Sequence, residues 1–271
     1  MISKKEIIKQ GGIRVKILTV GDIVGENGVK KVKQILPKLK EEKQIDFVII
    51  NGENAASGMG ITQKLFGDLI QAGADVITMG NHTWGKKDIF SFIDDKRLIR
   101  PANYSKGVVG NGYQIYTCKG KKIAVINLIG RTSMAVLSEN PFTIVEEIVN
   151  KIQNTVDIII VDFHAEATAE KIAMGYFLDG KVKMVFGTHT HVQTADEKIL
   201  PKGTGYITDI GMTGPSYSVI GMDVEVSIKR FLTSLPERYK VAEGECEFQS
   251  CLFEINDENY QIVKIDRYNV K

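Results

Sequence analysis

Residues 157–191 read DIIIVDFHAEATAEKIAMGYFLDGKVKMVFGTHTH. The run 157–163 is apolar on both faces and rich in β-branched residues, as expected of a strand buried in a covered sheet, and it ends at His164. A helical pattern covers 166–178, and a second strand-like run, 181–186, opens into Gly187-Thr188-His189-Thr190-His191. One strand–helix–strand unit therefore carries histidines beyond the ends of both its strands. In open α/β sheets the loops beyond the carboxyl ends of strands meet in one crevice, so groups far apart in sequence converge there.

The same alternation extends through most of the chain. Strand-like runs at 13–20, 46–50 and 75–79 lead into Gly21-Asp22, Asn51-Gly52-Glu53-Asn54 and Gly80-Asn81-His82, and a further run lies at 122–128. Helical patterns fall at 28–43, 61–72 and 143–154. The first places Val29, Val32, Ile35, Leu36 and Leu39 on one face and lysines on the other, which is core-facing amphipathy with a solvated basic side. Past about residue 205 the pattern changes to Gly-rich loops and strand candidates at 222–229, 248–255 and 261–266, expected to pair as antiparallel hairpins. There is no repeat and no Pro/Ser-rich linker. One α/β domain over 13–271 is expected, with 1–12 as a flexible N-terminal tail.

Composition bounds the compartment and the partners. The 271 residues are 43% hydrophobic and 25% charged, ordinary for a globular protein. The 35 Lys+Arg against 33 Asp+Glu leave a net charge of +2, with no broad footprint for extended nucleic acid. Cys118, Cys246 and Cys251 lie outside any CxxC or Cys/His ligand spacing. The N-terminal stretch lacks a continuous apolar segment of the signal-peptide kind, and no window reaches about 18 uninterrupted apolar residues. A cytoplasmic protein without membrane contact is expected.

All four histidines, His82, His164, His189 and His191, fall in the post-strand segments together with Asp22, Glu53, Asn54 and Asn81. Imidazole nitrogen mixed with carboxylate and amide oxygen, without thiolate, suits Mn, Fe or Zn in a catalytic setting. The ligands are too many for one ion; two ions about 3.5 to 4 Å apart, bridged by a carboxylate, would use them all. In an extended segment His189 and His191 would project to the same side. Two divalent ions against Asp22 and Glu53 leave a net positive centre, which attracts phosphate, polarises phosphoryl oxygens and supplies hydroxide for in-line attack at phosphorus. His82, directly after Asn81, would stand where a leaving alkoxide needs a proton. A P-loop at 80–86 is the weaker alternative, because Lys87 occupies the position where Ser or Thr binds magnesium and the other histidines go unexplained. A regulatory protein that binds nucleotide or RNA at the metal site with little turnover uses the same ligands.

The segments GDIVG, NGENAASGMG, GNHTW, HAEATAEK and GTHTHVQTADEKILPKGTGYITDIGMTGP together resemble the YmdB-like branch of the calcineurin-like metallophosphoesterases, di-metal cyclic-nucleotide phosphodiesterases, from about Lys16 to the C-terminus. The resemblance implies a layered αββα sandwich with its metal site at the C-terminal ends of strands. It implies Asp22, Asn54 and His191 as ligands of a first metal, Asn81, His164 and His189 as ligands of a second, Glu53 as the bridge and His82 as a general acid that does not bind metal. The wider superfamily opens with Asp-x-His; Val24 stands at that histidine position here, and Asn54 fills the gap. The resemblance further implies two metal ions per subunit, Fe or Mn ahead of Zn or Mg, a cyclic nucleotide such as 2′,3′-cyclic AMP or another small phosphodiester as substrate, and a homo-oligomer. Trp84, Tyr176, Tyr206 and Tyr217 are candidates for stacking a base or for packing, and apolar residues at 220–222 and 231–235 are candidates for a subunit contact. Arg131, after Ile129-Gly130, is a candidate for contacting phosphate or an exposed loop arginine.

Overall fold

The computed structural model describes residues 14–271, so the expected tail at 1–12 lies outside the described residues. In chain order the elements are β1 (Arg14–Val20), β2 (Asp22–Ile23), α1 (Gly25–Lys43), β3 (Phe47–Asn51), α2 (Gln63–Ala72), β4 (Val76–Thr78), β5 (Leu98–Ile99), β6 (Tyr113–Cys118), β7 (Lys121–Ile129), α3 (Pro141–Ile152), β8 (Ile158–His164), α4 (Thr168–Leu178), β9 (Met184–Thr188), β10 (Lys198–Ile199), β11 (Gly205–Ile207), β12 (Met212–Pro215), α5 (Val224–Thr233), β13 (Cys246–Asn256) and β14 (Ile262–Val270). They form two sheets, ordered β2-β12-β13-β1-β3-β4-β5, with β14 beside β13, and β10-β11-β9-β8-β7-β6. The strands that lead to the candidate site run parallel within each sheet: β1, β3 and β4 in one, β7, β8 and β9 in the other.

The both-face hydrophobicity of these strands is explained by what covers them. Alternate side chains point to opposite faces of a strand. Val15, Ile17, Phe47 and Ile49 meet Ile123, Val125, Ile158, Ile160 and Phe186 between the sheets. Leu18, Val20, Val48 and Ile50 turn the other way, onto Val32, Leu36, Leu65 and Leu69 of α1 and α2. Ala124, Ile126, Val161 and Phe163 likewise turn onto Val145, Val149, Met174 and Leu178 of α3 and α4. The layers are helix, sheet, sheet, helix: the expected αββα sandwich.

Two expectations need correction. Residues 222–229 belong mostly to α5 and form no strand. Val224, Val226 and Ile228 mimic a strand's alternation, but the Asp223 side chain accepts the Val226 N–H at 3.1 Å and caps a helix. The helix leaves Phe231 and Leu232, candidates for a subunit contact, 81% and 80% exposed. His164, in turn, is the last residue of β8, in register with Thr188 of β9, and so is held by the sheet and not by a loop.

Candidate metal centre

Each site residue follows a parallel strand or ends one. Asp22 opens β2, where pairing with Met212 of β12 fixes its backbone. Glu53 and Asn54 lie just past β3, Asn81 and His82 past β4, and His189 and His191 past β9. Close approach is enforced at Gly80, where a Cβ would run into Glu53 Oε2 and the His164 ring.

The donor atoms fall into two groups that share Glu53. In the first, His164 Nε2 lies 2.9 Å from Glu53 Oε1, 3.0 Å from Asn81 Oδ1 and 3.0 Å from His189 Nδ1. In the second, His191 Nε2 lies 3.7 Å from Asp22 Oδ1 and 3.1 Å from Asn54 Nδ2, and Asn54 Nδ2 is 3.5 Å from Glu53 Oε1. Ligation by Asn54 would use its Oδ1.

The outward ring nitrogens define the tautomers. Thr188 donates its hydroxyl to Asp162 Oδ1 at 2.8 Å, so it accepts the proton of His164 Nδ1 at 2.9 Å. His189 Nε2 is 3.0 Å from Glu166 Oε2, and His191 Nδ1 is 2.8 Å from the Ile220 carbonyl. Partners of this kind fix which nitrogen stays free, as in carboxylate–histidine–metal arrangements. With those protons outward, and with a cation in place of the proton that His164 Nε2 otherwise carries toward Glu53, His164 Nε2, His189 Nδ1, Glu53 Oε1 and Asn81 Oδ1 would converge as lone pairs. A proton on His164 Nε2 could serve one of its three neighbours; a cation serves all of them.

The electrostatics agree. Burial alone would raise Glu53, but the charge and hydrogen bond of His164 and the backbone N–H of His82 hold it down at about 2. Burial opposes charge on His164, yet Glu53, Asp22 and Asp162 raise it to about 9. Burial and the neighbouring His164 push His189 down to about 3, so it stays a neutral donor. Burial raises Asp22 against the pull of His191 and His164. Its Oδ1 is fully buried with no hydrogen-bond partner, an arrangement that costs free energy unless a ligand engages the oxygen. An unmatched carboxylate oxygen beside converging nitrogen and oxygen donors fits the binding of metal ions.

His82 stands apart from both donor groups. Its backbone N–H donates to Glu53 Oε2 at 2.9 Å. Its side chain lines a cavity of about 210 Å3 together with Glu53, Asn54, Glu166, His189 and His191. Burial holds its pKa below the usual imidazole value; Glu53 opposes this, and His164 and His191 reinforce it. Arg131 is exposed and outside the cavity, in line with the loop reading and not with a phosphate contact there.

The expectation that His189 and His191 share one side of an extended segment is not met. Their φ angles are +101° and +61°, in the left-handed region, and the turn between them sends one side chain to each donor group. What holds the turn was not picked out from the sequence. Asp209 Oδ2 accepts from Lys171 Nζ at 2.6 Å, from the Thr190 hydroxyl at 2.7 Å and from the Thr190 N–H at 3.1 Å. The Lys171–Asp209 pair is buried. Replacing Lys171 by Met leaves Asp209 an uncompensated buried charge, and a loss of about 3–5 kcal/mol is expected in denaturant unfolding. Lys171 in HAEATAEK and Asp209 in TDIGMTGP carried the only signal: charged residues inside runs that otherwise read as core.

Comparison with known proteins bears directly on this arrangement. The family model described as "YmdB-like protein" matches residues 18–268. The chain belongs to the YmdB-like family. A relative from Bacillus subtilis (strain 168), named 2′,3′-cyclic-nucleotide 2′-phosphodiesterase, is 52% identical over 254 residues, covering 93% of this chain and 96% of the relative. Among solved structures, one described as a novel phosphatase from Mycoplasma pneumoniae aligns at 37% identity with a TM-score of 0.91, over 96% of this chain and 94% of the other. One of a hypothetical protein from Thermus thermophilus aligns at 36% identity with a TM-score of 0.89, over 94% and 98%. Among the described residues no helix is long and apolar enough to cross a membrane.

Proposed function

We propose that this YmdB-like protein is a di-metal phosphodiesterase acting on 2′,3′-cyclic nucleotides. The observation that carries the proposal is the convergence of lone pairs on His164 Nε2 beside the unpartnered Asp22 Oδ1; the name of the Bacillus relative supplies the substrate class. Asp22, Asn54 and His191 would hold one ion, Asn81, His164 and His189 the other, and Glu53 would bridge them. When bound, the two ions polarise the phosphoryl oxygens and provide the hydroxide that attacks phosphorus. The protein's own part is to place the cyclic phosphate against this cluster and to supply a proton. As the P–O2′ bond breaks, the protonated form of His82 gives its proton to O2′, leaving a 3′-monophosphate, and the lowered pKa of the ring moves this step toward acid pH. Glu53 holds the His82 backbone N–H and so ties the position of the acid to that of the bridge. The mixed N/O set suits Mn, Fe or Zn, and the family resemblance puts iron or manganese ahead of zinc or magnesium. The same proposal places the protein in the cytoplasm as a homo-oligomer, the latter favoured by the exposed Phe231 and Leu232.

The test uses protein stripped with a chelator and reloaded with Mn, Fe(II), Zn or Mg separately. It is then assayed on 2′,3′-cyclic AMP, 3′,5′-cyclic AMP and bis(p-nitrophenyl) phosphate. Expected are no turnover of the stripped protein, restoration by Mn or Fe, and 3′-AMP as product. Binding of 2′,3′-cyclic AMP by the reloaded protein with no hydrolysis of any substrate would instead establish a regulatory binding protein.

A further inference from the structure

The cavity over the metal-centre residues has two unlike walls. One is the donor set with His82; the other is Ile220, Met222 and Tyr239, all from the excursion between β12 and β13. None of the four aromatics picked out from the sequence reaches it. Trp84 is stacked on Phe90 at 5.6 Å and tilted against Tyr104 at 5.9 Å. Tyr206 is buried in the core with its hydroxyl at Thr208. Tyr176 is exposed outside the cavity, and Tyr217 lines a separate cleft beside Asp223 and Lys240. Apart from the three histidines, Tyr239 is the one aromatic residue on the cavity wall among the described residues.

Its position is built by the site itself. The ring packs against Gly58, where a Cβ would collide with Cε1, Cζ and the hydroxyl, and where φ is +78°. That glycine belongs to the loop that carries Glu53 and Asn54, so the ring and two donors are set by one backbone turn. Tyr239 also forms a wall of a neighbouring cleft of about 470 Å3 that reaches Glu26 and Asn27 of α1. It therefore stands where a ligand anchored by its phosphate at the metals would extend its remaining bulk. Burial, reinforced by the charge of Glu53, raises its phenol above the ordinary value, so the hydroxyl remains a donor.

We infer that Tyr239 is the specificity-determining residue of this site: its ring stacks on the nucleobase of the cyclic nucleotide, and its hydroxyl donates to the nucleoside. The inference rests on the phosphodiesterase function proposed above. A phosphate at the metals gains affinity whatever it is esterified to, whereas an aromatic face rewards a flat, π-bearing substituent.

The test compares wild type, Tyr239→Phe and Tyr239→Leu, loaded with Mn, on two substrates: 2′,3′-cyclic AMP and methyl β-riboside 2′,3′-cyclic phosphate, which keeps the cyclic phosphate and lacks the base. Metal content and melting temperature are measured on each variant. For Tyr239→Leu the kcat/KM preference for the nucleotide is expected to fall about tenfold or more, mainly through KM, with two metals still bound. Tyr239→Phe keeps the ring and should retain most of the preference. Equal losses on both substrates, or a preference unaltered in Tyr239→Leu, overturn the inference. A wild-type protein that hydrolyses neither substrate overturns the phosphodiesterase function itself, and the inference with it.

Discussion

His82→Ala is expected to lower kcat on 2′,3′-cyclic AMP by about 10²–10⁴-fold, the usual contribution of a positioned general acid, while two metals per chain remain bound. The separation of the two effects follows from the geometry. The contact from residue 82 to the donor set is made by its backbone N–H to Glu53 Oε2, and alanine keeps it. The ring belongs to neither converging group of donor atoms, and His82 lines the cavity beside them. The leaving alkoxide then has to depart unprotonated or take its proton from water. An ester with a good leaving group needs little help from an acid, so p-nitrophenol release from bis(p-nitrophenyl) phosphate should fall much less than cyclic AMP hydrolysis. Metal analysis that finds the variant's centre empty would make His82 a ligand, and equal losses on both substrates would remove its role as acid.

How far the sequence carries toward this centre depends on the range of the forces involved. β1, β3, β4, β8 and β9 were legible because burial between two layers writes itself as apolar residues on both faces, and their polar endings were legible because the C-terminal ends of parallel strands share one crevice. The division of donors between two metals comes from family resemblance alone; the structure places His164 and Asn54 on either side of Glu53. What the pattern hid was set by tertiary context. The left-handed turn through His189 and His191 depends on Asp209 and on Lys171, neither adjacent in sequence. The cap at Asp223 overrode the β-branched residues after it. Tyr239 lies in a stretch without periodicity and gains meaning only because Gly58, lacking a Cβ, lets its ring approach the loop that carries Glu53 and Asn54.

Asp22→Ala is expected to abolish occupancy of at least one metal site and with it nearly all activity, yet to leave the chelator-treated protein at least as stable as wild type. Ordinary loss of a buried side chain destabilises; here the side chain is a carboxylate with one oxygen unpartnered in the interior, raised in pKa chiefly by that burial. Its replacement removes a desolvated group whose one protein hydrogen bond is a 3.2 Å contact from the His189 N–H. The carboxylate is therefore a cost to the fold that metal binding offsets. In wild type, a free metal concentration one hundred times Kd adds about 2.7 kcal/mol of stability, or about 5–10 °C in Tm at about 2–4 °C per kcal/mol. In Asp22→Ala most of that increment should vanish while the chelated Tm holds or rises. His189→Ala should lose metal in the same way but gain no such relief, because its outward nitrogen already has Glu166 as partner. Calorimetric scans with chelator and with Mn, paired with metal counts, read both quantities. Two tightly bound ions in Asp22→Ala with a full metal-dependent rise in Tm would exclude Asp22 as a ligand and leave the buried oxygen to another partner.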